Sequence, residues 1–221
     1  MTHGSTLDWH TSRSWRELAA GTSQRGRLGA MPVGCASEIL DERLVRAPLA
    51  AMFDVARRVE HWPAYLAHYR FVRWRERRGE DEGLVEMSAN RPFGVAQWPT
   101  WWLSEMAVQQ ASGPDGTPVP TIRFRHLQGI TAGMEVEWSF VPEGGGTRVR
   151  ILHVWNGPRW PIIGLFAATT VIGPVFVHGI ASRTLAGLAK VAERATDSGT
   201  TGGGRARLPG SSAGGPPPTS R

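Results

Sequence analysis

After one short helical region, the sequence runs through six strand-length segments in succession and then closes on a single amphipathic helix. The segments cover 69–76, 84–91, 97–110, 121–128, 134–142 and 147–155. Turn residues separate them: the charged RRGEDEG, then SGPDGTPVP, then Glu143-Gly144-Gly145-Gly146, whose glycines accept the positive φ of a tight hairpin. Strands joined so closely pair antiparallel, because a parallel neighbour needs a crossover of a dozen or more residues. An earlier strand occupies 38–47. Pro48 then stands at a helix start, with Leu49, Met52, Phe53 and Val59 at helical spacing. Pro63 breaks that run, and 63–68 reads as a second short helix. At the other end Val177, Ala181, Leu185, Leu188 and Ala192 recur every three or four residues, with Arg183, Gly187, Lys190 and Arg194 on the other side. The expected class is α+β, with an antiparallel sheet of about seven strands, two short helices after the first, and one long helix covering one sheet face.

Composition narrows the partners. The chain of 221 residues carries a formal charge of +6. Residues 1–37 hold Arg13, Arg16, Arg25 and Arg27 against Asp8 and Glu17, and 196–221 hold Arg205, Arg207 and Arg221 against Asp197. Most of the excess charge thus sits in the tails, and no specific nucleic-acid surface is expected. Neither tail has a periodic apolar face, and the second is dominated by Gly, Pro, Ser and Thr, so both are expected to be disordered, leaving one domain over 38–195. A single cysteine, Cys35, excludes an internal disulfide framework. Together with the lack of an apolar signal-peptide core in 1–37, this makes a reducing, cytoplasmic setting the expectation. The segment 160–182 is free of formal charge and long enough to span a bilayer. Pro161, Pro174, Gly164, Gly173, Gly179 and His178 argue instead for a bent, buried segment, with weak contact to an anionic membrane as the variant reading.

Alternation sorts the strands into faces. Met134, Val136, Trp138 and Phe140 point one way, with Glu135 and Glu137 opposite; the two glutamates are expected on a solvated outer face near Arg148 and Arg150. Val149, Ile151, His153 and Trp155 form the inner set of the last strand. Ile122, Phe124 and His126 face inward from between Arg123 and Arg125. Trp98, Trp102, Ser104, Met106 and Val108 share a face of the long strand, with Trp101 and Leu103 behind. Four tryptophans and several polar tips on one wall suit an apolar ligand cavity better than a sheet packed solid, which would favour Val, Ile and Leu. Other chemistry finds no support: His61, His68, His126 and His153 lack the spacing of a metal set, and no GxSxG, phosphate-binding loop or dinucleotide fingerprint occurs. Neither metal nor cofactor is expected.

The run APLAAMFDVARRVEHWPAYLAHY after the first strand, with GMEVEWSFVPEGGGTRVRILH and the closing RTLAGLAKVAE, resembles the polyketide cyclase/dehydrase and lipid-transport family, also called SRPBCC or START-like. The resemblance covers about 38–195. It implies the helix-grip fold, a curved antiparallel sheet wrapped around a long C-terminal helix with a ligand cavity between them. It also implies a hydrophobic small-molecule partner: polyketide-like, lipid or quinone. Ligand-binding candidates are Trp62, Trp98, Trp102, Met106, Phe124, Trp138 and Trp155. A cyclase/dehydrase-type enzyme, closing rings by aldol chemistry and dehydration, would draw on Ser104, Tyr69, His126, His153 and Arg91. The aromatase/cyclase branch places an Arg two residues after a Ser on the long strand. Here Trp102-Leu103-Ser104-Glu105-Met106 puts a methionine there, which favours a carrier and leaves Arg91 as the alternative guanidinium. A lipid or quinone chaperone that touches a membrane through 161–176 is the third reading.

Overall fold

The computed structural model describes residues 28–93, 96–113, 115–157 and 177–201; for 91–93, 96–98 and 199–201 only the backbone is described. The elements in chain order are β1 (Ser37–Val45), α1 (Leu49–Arg57), a 3-10 turn (Val59–His61), α2 (Trp62–Tyr65), β2 (Tyr69–Arg77), β3 (Glu82–Phe93), β4 (Ala96–Ser112), β5 (Pro118–Gly129), β6 (Glu135–Glu143), β7 (Gly146–Trp155) and α3 (His178–Thr201). The strands form one seven-stranded antiparallel sheet in the order β1-β7-β6-β5-β4-β3-β2. Its edges are therefore the two strands that flank α1 and α2, and α3 packs on α1 and β1.

Local chemistry explains these boundaries. Pro48 precedes the first turn of α1, and its carbonyl accepts from Met52 N–H at 3.1 Å. Gly144 and Gly145 take φ of 57° and 79° in the β6–β7 hairpin. Val177, just before α3, and Ala181, Leu185, Leu188 and Ala192 on it form a buried stripe. The helix continues past 195 to Thr201. Its stripe packs on the same core as Met52, Ile122, Phe140 and Ile151, each fully buried and worth about 1.5–3 kcal/mol for an aliphatic or aromatic side chain of this size. Leu84 and Leu103 form a separate small cluster on the other face with Trp101 and Leu127.

The outer face corrects one expectation. Glu135 and Glu137 do point away from the core, but their partners are on β5. Arg123 donates to Glu135 at 2.7 Å and Arg125 donates to it at 3.0 Å, while Glu137 lies 3.7 Å from Arg123. The register is the cause: β5 and β6 set Arg123 opposite Glu137 and Arg125 opposite Glu135. Arg148 and Arg150 instead pair with Glu42 of β1, and Arg148 also with Glu143. Nor is this face solvated throughout. Leu28 and Gly29, assigned to the N-terminal tail from the sequence, cross it: Leu28 is buried, its carbonyl accepts from Gln109, and the Gly29 carbonyl accepts from Arg123 at 3.0 Å.

No helix among the described residues is long and apolar enough to cross a membrane. Most of the uncharged segment, 158–176, lies outside the described residues.

Candidate functional site

Inward positions of six strands converge beneath the start of α3. Tyr69 comes from β2, Met87 from β3, Trp102 from β4, Phe124 and His126 from β5, Val136 and Trp138 from β6, and Ile151 and His153 from β7. Alternation puts 124 with 126, 136 with 138, and 151 with 153 on the same side. Val177, Ile180, Ala181 and Thr184 close the space from above, Thr131 and Met134 from the β5–β6 connection, and Trp62 from α2. The open volume is about 60 Å³.

The short α2 exists to place Trp62. Pro63 in its first turn suits a helix start, and Trp62 accepts the single closing bond from Leu66 N–H at 2.8 Å. The indole then meets Tyr69 edge-on at 5.4 Å between ring centroids, Trp138 at 5.6 Å and Phe124 at 6.4 Å. Trp102 continues the wall, 6.2 Å from Tyr69 and stacked on His126 at 6.1 Å. Such offset and edge contacts fix ring orientations and add to the burial energy.

Two polar pairs are set into this wall. His126 Nδ1 lies 2.7 Å from Thr131 Oγ1. On the opposite side His68 Nε2 lies 3.1 Å from Thr184 Oγ1, and that hydroxyl donates to Tyr69 Oη at 3.4 Å. With the Thr184 proton assigned to Tyr69, His68 is the donor to Thr184 and carries its proton on Nε2. Burial, reinforced by the Arg183 charge, holds the His68 imidazole below the usual histidine range, so it is neutral at pH 7. The phenol oxygen of Tyr69 carries a polar contact where it meets the pocket wall. Uncharged ring, hydroxyl and phenol thus form a relay reaching the pocket wall from α3.

The structure gathers seven of the sequence candidates at the pocket: Tyr69, His126, His153, Trp62, Trp102, Phe124 and Trp138. Three others stand outside the described lining of the pocket. Met106 is fully buried in the packed core, opposite Phe124. Trp155 is also core, and its indole N–H donates to the Ala132 carbonyl at 3.0 Å, which ties down the β5–β6 connection. Ser104 faces inward opposite His126 but is not part of the wall; its short side chain, flanked on its face by the longer Trp102 and Met106, is fully buried. Arg91 and Trp98 pair across β3 and β4, and their side chains lie outside the described residues. Thr184, Thr131 and His68 were missed. Thr184 had a signal: it sits seven residues after Val177 and three after Ala181, a polar residue in the middle of the apolar stripe. Among the described residues no group of three His, Cys, Asp or Glu could hold a metal.

A curved antiparallel sheet gripping a C-terminal helix over an aromatic pocket defines a helix-grip, START-like protein. The chain belongs to the family described as polyketide cyclase / dehydrase and lipid transport, whose model matches residues 45–170, more than half its length. No curated protein matches the sequence. Among solved structures it is similar to TTHA0849 from Thermus thermophilus (TM-score 0.54, 21% identity, covering 72% of this chain and 99% of that one). It is similar also to the Zhui aromatase/cyclase from a Streptomyces species (TM-score 0.52, 15% identity, 72% and 95%). A third is the di-domain ARO/CYC StfQ from the steffimycin biosynthetic pathway (TM-score 0.51, 17% identity, 73% and 52%). At these identities the likeness is one of fold.

Proposed function

We propose that the protein binds one hydrophobic small molecule, polyketide-like, lipid or quinone, between the inner sheet face and the start of α3. The observation that carries this is the wall itself: four large aromatic side chains, Trp62, Trp102, Phe124 and Trp138, beside polar tips at Tyr69, Thr184, Thr131 and His126. Ligand sites combine an apolar lining with a few placed polar groups in this way. A space of about 60 Å³ holds about two waters, so a ring-sized ligand enters by parting side chains of α2 and α3 rather than by filling a ready void.

The relay from His68 through Thr184 to Tyr69 favours a second reading, an enzyme of cyclase/dehydrase type in which the Tyr69 phenol protonates a leaving or enolate oxygen. Membrane loading through 161–176, in a cytoplasmic carrier, is the third and rests on the uncharged sequence there.

Native mass spectrometry separates them. The full chain is measured as purified, then after solvent stripping and incubation with a mixture of neutral ring compounds and fatty acids. We expect a one-to-one complex in at least one state. A bare chain in both would overturn the proposal. Conversion of the bound molecule with time marks the enzyme, and retention on anionic liposomes at low salt marks the membrane-loading carrier.

A further inference from the structure

Resting on the reading of this pocket as a ligand site, the geometry points to Trp62 as its specificity-determining residue: the indole N–H selects a neutral ring compound carrying an acceptor oxygen, a ketone, quinone or ether. Trp62 is 2% exposed, lines the pocket, and its Nε1 is buried with no hydrogen-bond partner among the described residues. Its ring neighbours explain why: Tyr69, Phe124 and Trp138 present carbon faces and edges. Three other indoles among the described residues are satisfied. Trp155 donates to the Ala132 carbonyl, Trp101 to Glu86 and Trp74 to Glu60. A buried N–H without an acceptor is costly, and native structures leave few of them. Phenylalanine would fill the same aromatic cluster without that cost. The indole is accounted for if the pocket's occupant supplies the oxygen.

The lining also restricts charge. None of the described lining residues is Lys, Arg, Asp or Glu. Among the described lining residues a buried carboxylate would find no cationic side chain of Lys or Arg, whereas a neutral carbonyl needs only the one donor that Trp62 offers. Plain hydrocarbon would leave the N–H orphaned, and a fatty acid would bring a charge that no described Lys or Arg of the lining meets.

Three compounds with the same fused rings test this on the full chain by calorimetry: 1-indanone, indane and indane-1-carboxylate. We expect 1-indanone to bind about tenfold tighter than indane, and the carboxylate to bind more weakly than either. In Trp62→Phe the preference for the ketone should vanish while indane affinity is kept. The Trp62 indole proton resonance of the wild type should move downfield with 1-indanone and stay in place with indane, a reading that holds even if the variant folds poorly. Equal binding of ketone and hydrocarbon, or a ketone preference that survives Trp62→Phe, would overturn the inference and leave the pocket reading standing. A carboxylate that binds as tightly as the ketone would overturn the neutral-ligand assignment. Binding of none of the three, with no ligand seen by mass spectrometry, would overturn the pocket reading itself.

Discussion

Gly129→Ala is expected to destabilise the protein by about 3 kcal/mol, with a fall of about 10 °C in melting temperature. Gly129 ends β5 at φ 96°, a backbone region that side-chain-bearing residues rarely adopt. A Cβ built there would stand 2.4 Å from the Trp101 carbonyl oxygen and 2.9 Å from Trp102 Cα. Both obstacles are backbone, so no rotamer change relieves them. The position also matters to the pocket. Gly129 pairs with Trp102 next to the register shift between Leu103 and Ser104, where β5 spends Leu127 as an extra residue. That shift puts His126 opposite Ser104 and lets Leu127 join Trp101 and Leu103 on the outer side. Displacing β4 here displaces Trp102 in the wall. Thermal unfolding followed by circular dichroism checks the first effect. A melting temperature within about 1 °C of wild type would mean that the close approach does not constrain this bend.

Glu135→Ala is expected to cost about 3 kcal/mol, because it strands a buried cation. The Arg123 side chain is 3% exposed; it donates to Glu135 and to the Gly29 carbonyl, and its Nε has no partner among the described residues. Glu137 at 3.7 Å offers only partial replacement. Removing both charges together, with Arg123→Met and Glu135→Leu, should restore most of the loss, since the pair's attraction repays little beyond its desolvation. Urea unfolding of the single and double variants measures this. A single variant within about 0.5 kcal/mol of wild type, the range of ordinary surface substitutions, would show that Arg123 is effectively solvated.

The two variants mark where the sequence was and was not legible. Period-two counting sorted the inner faces of β5, β6 and β7, because each runs several steps without a break and each inward residue is apolar or aromatic. The turn at Gly144 and Gly145 and the stripe of α3 were equally plain, since both are local signals. Burial of Glu135 was not, because it depends on which strand lies beside β6 and on Leu28 and Gly29 returning from far along the chain. The bulge at Leu127 likewise has no signature in composition. At the site, alternation identifies the face a residue occupies but not its depth. Met106 and Trp155 share the inner face with Trp102 and His126, yet only the latter two reach the pocket. The helix and the β5–β6 connection decide which inward residues stay uncovered, and they also bring Thr184 and Thr131 to the histidines.

That distinction gives the central test. N-phenyl-1-naphthylamine, a neutral apolar fluorophore, is titrated into the wild type, Trp102→Ala and Trp155→Ala, each with its stability measured alongside. A wall residue has open space on one side and fewer packing partners, so Trp102→Ala should weaken the probe about tenfold while costing less than the 3–5 kcal/mol typical of a fully packed tryptophan. Trp155→Ala should cost the larger amount of stability, and the protein that remains folded should bind the probe more tightly than Trp102→Ala does. If folded Trp102→Ala binds the probe with unchanged affinity, or the wild type does not bind it at all, the aromatic wall between the sheet and α3 is packing alone and not a ligand site.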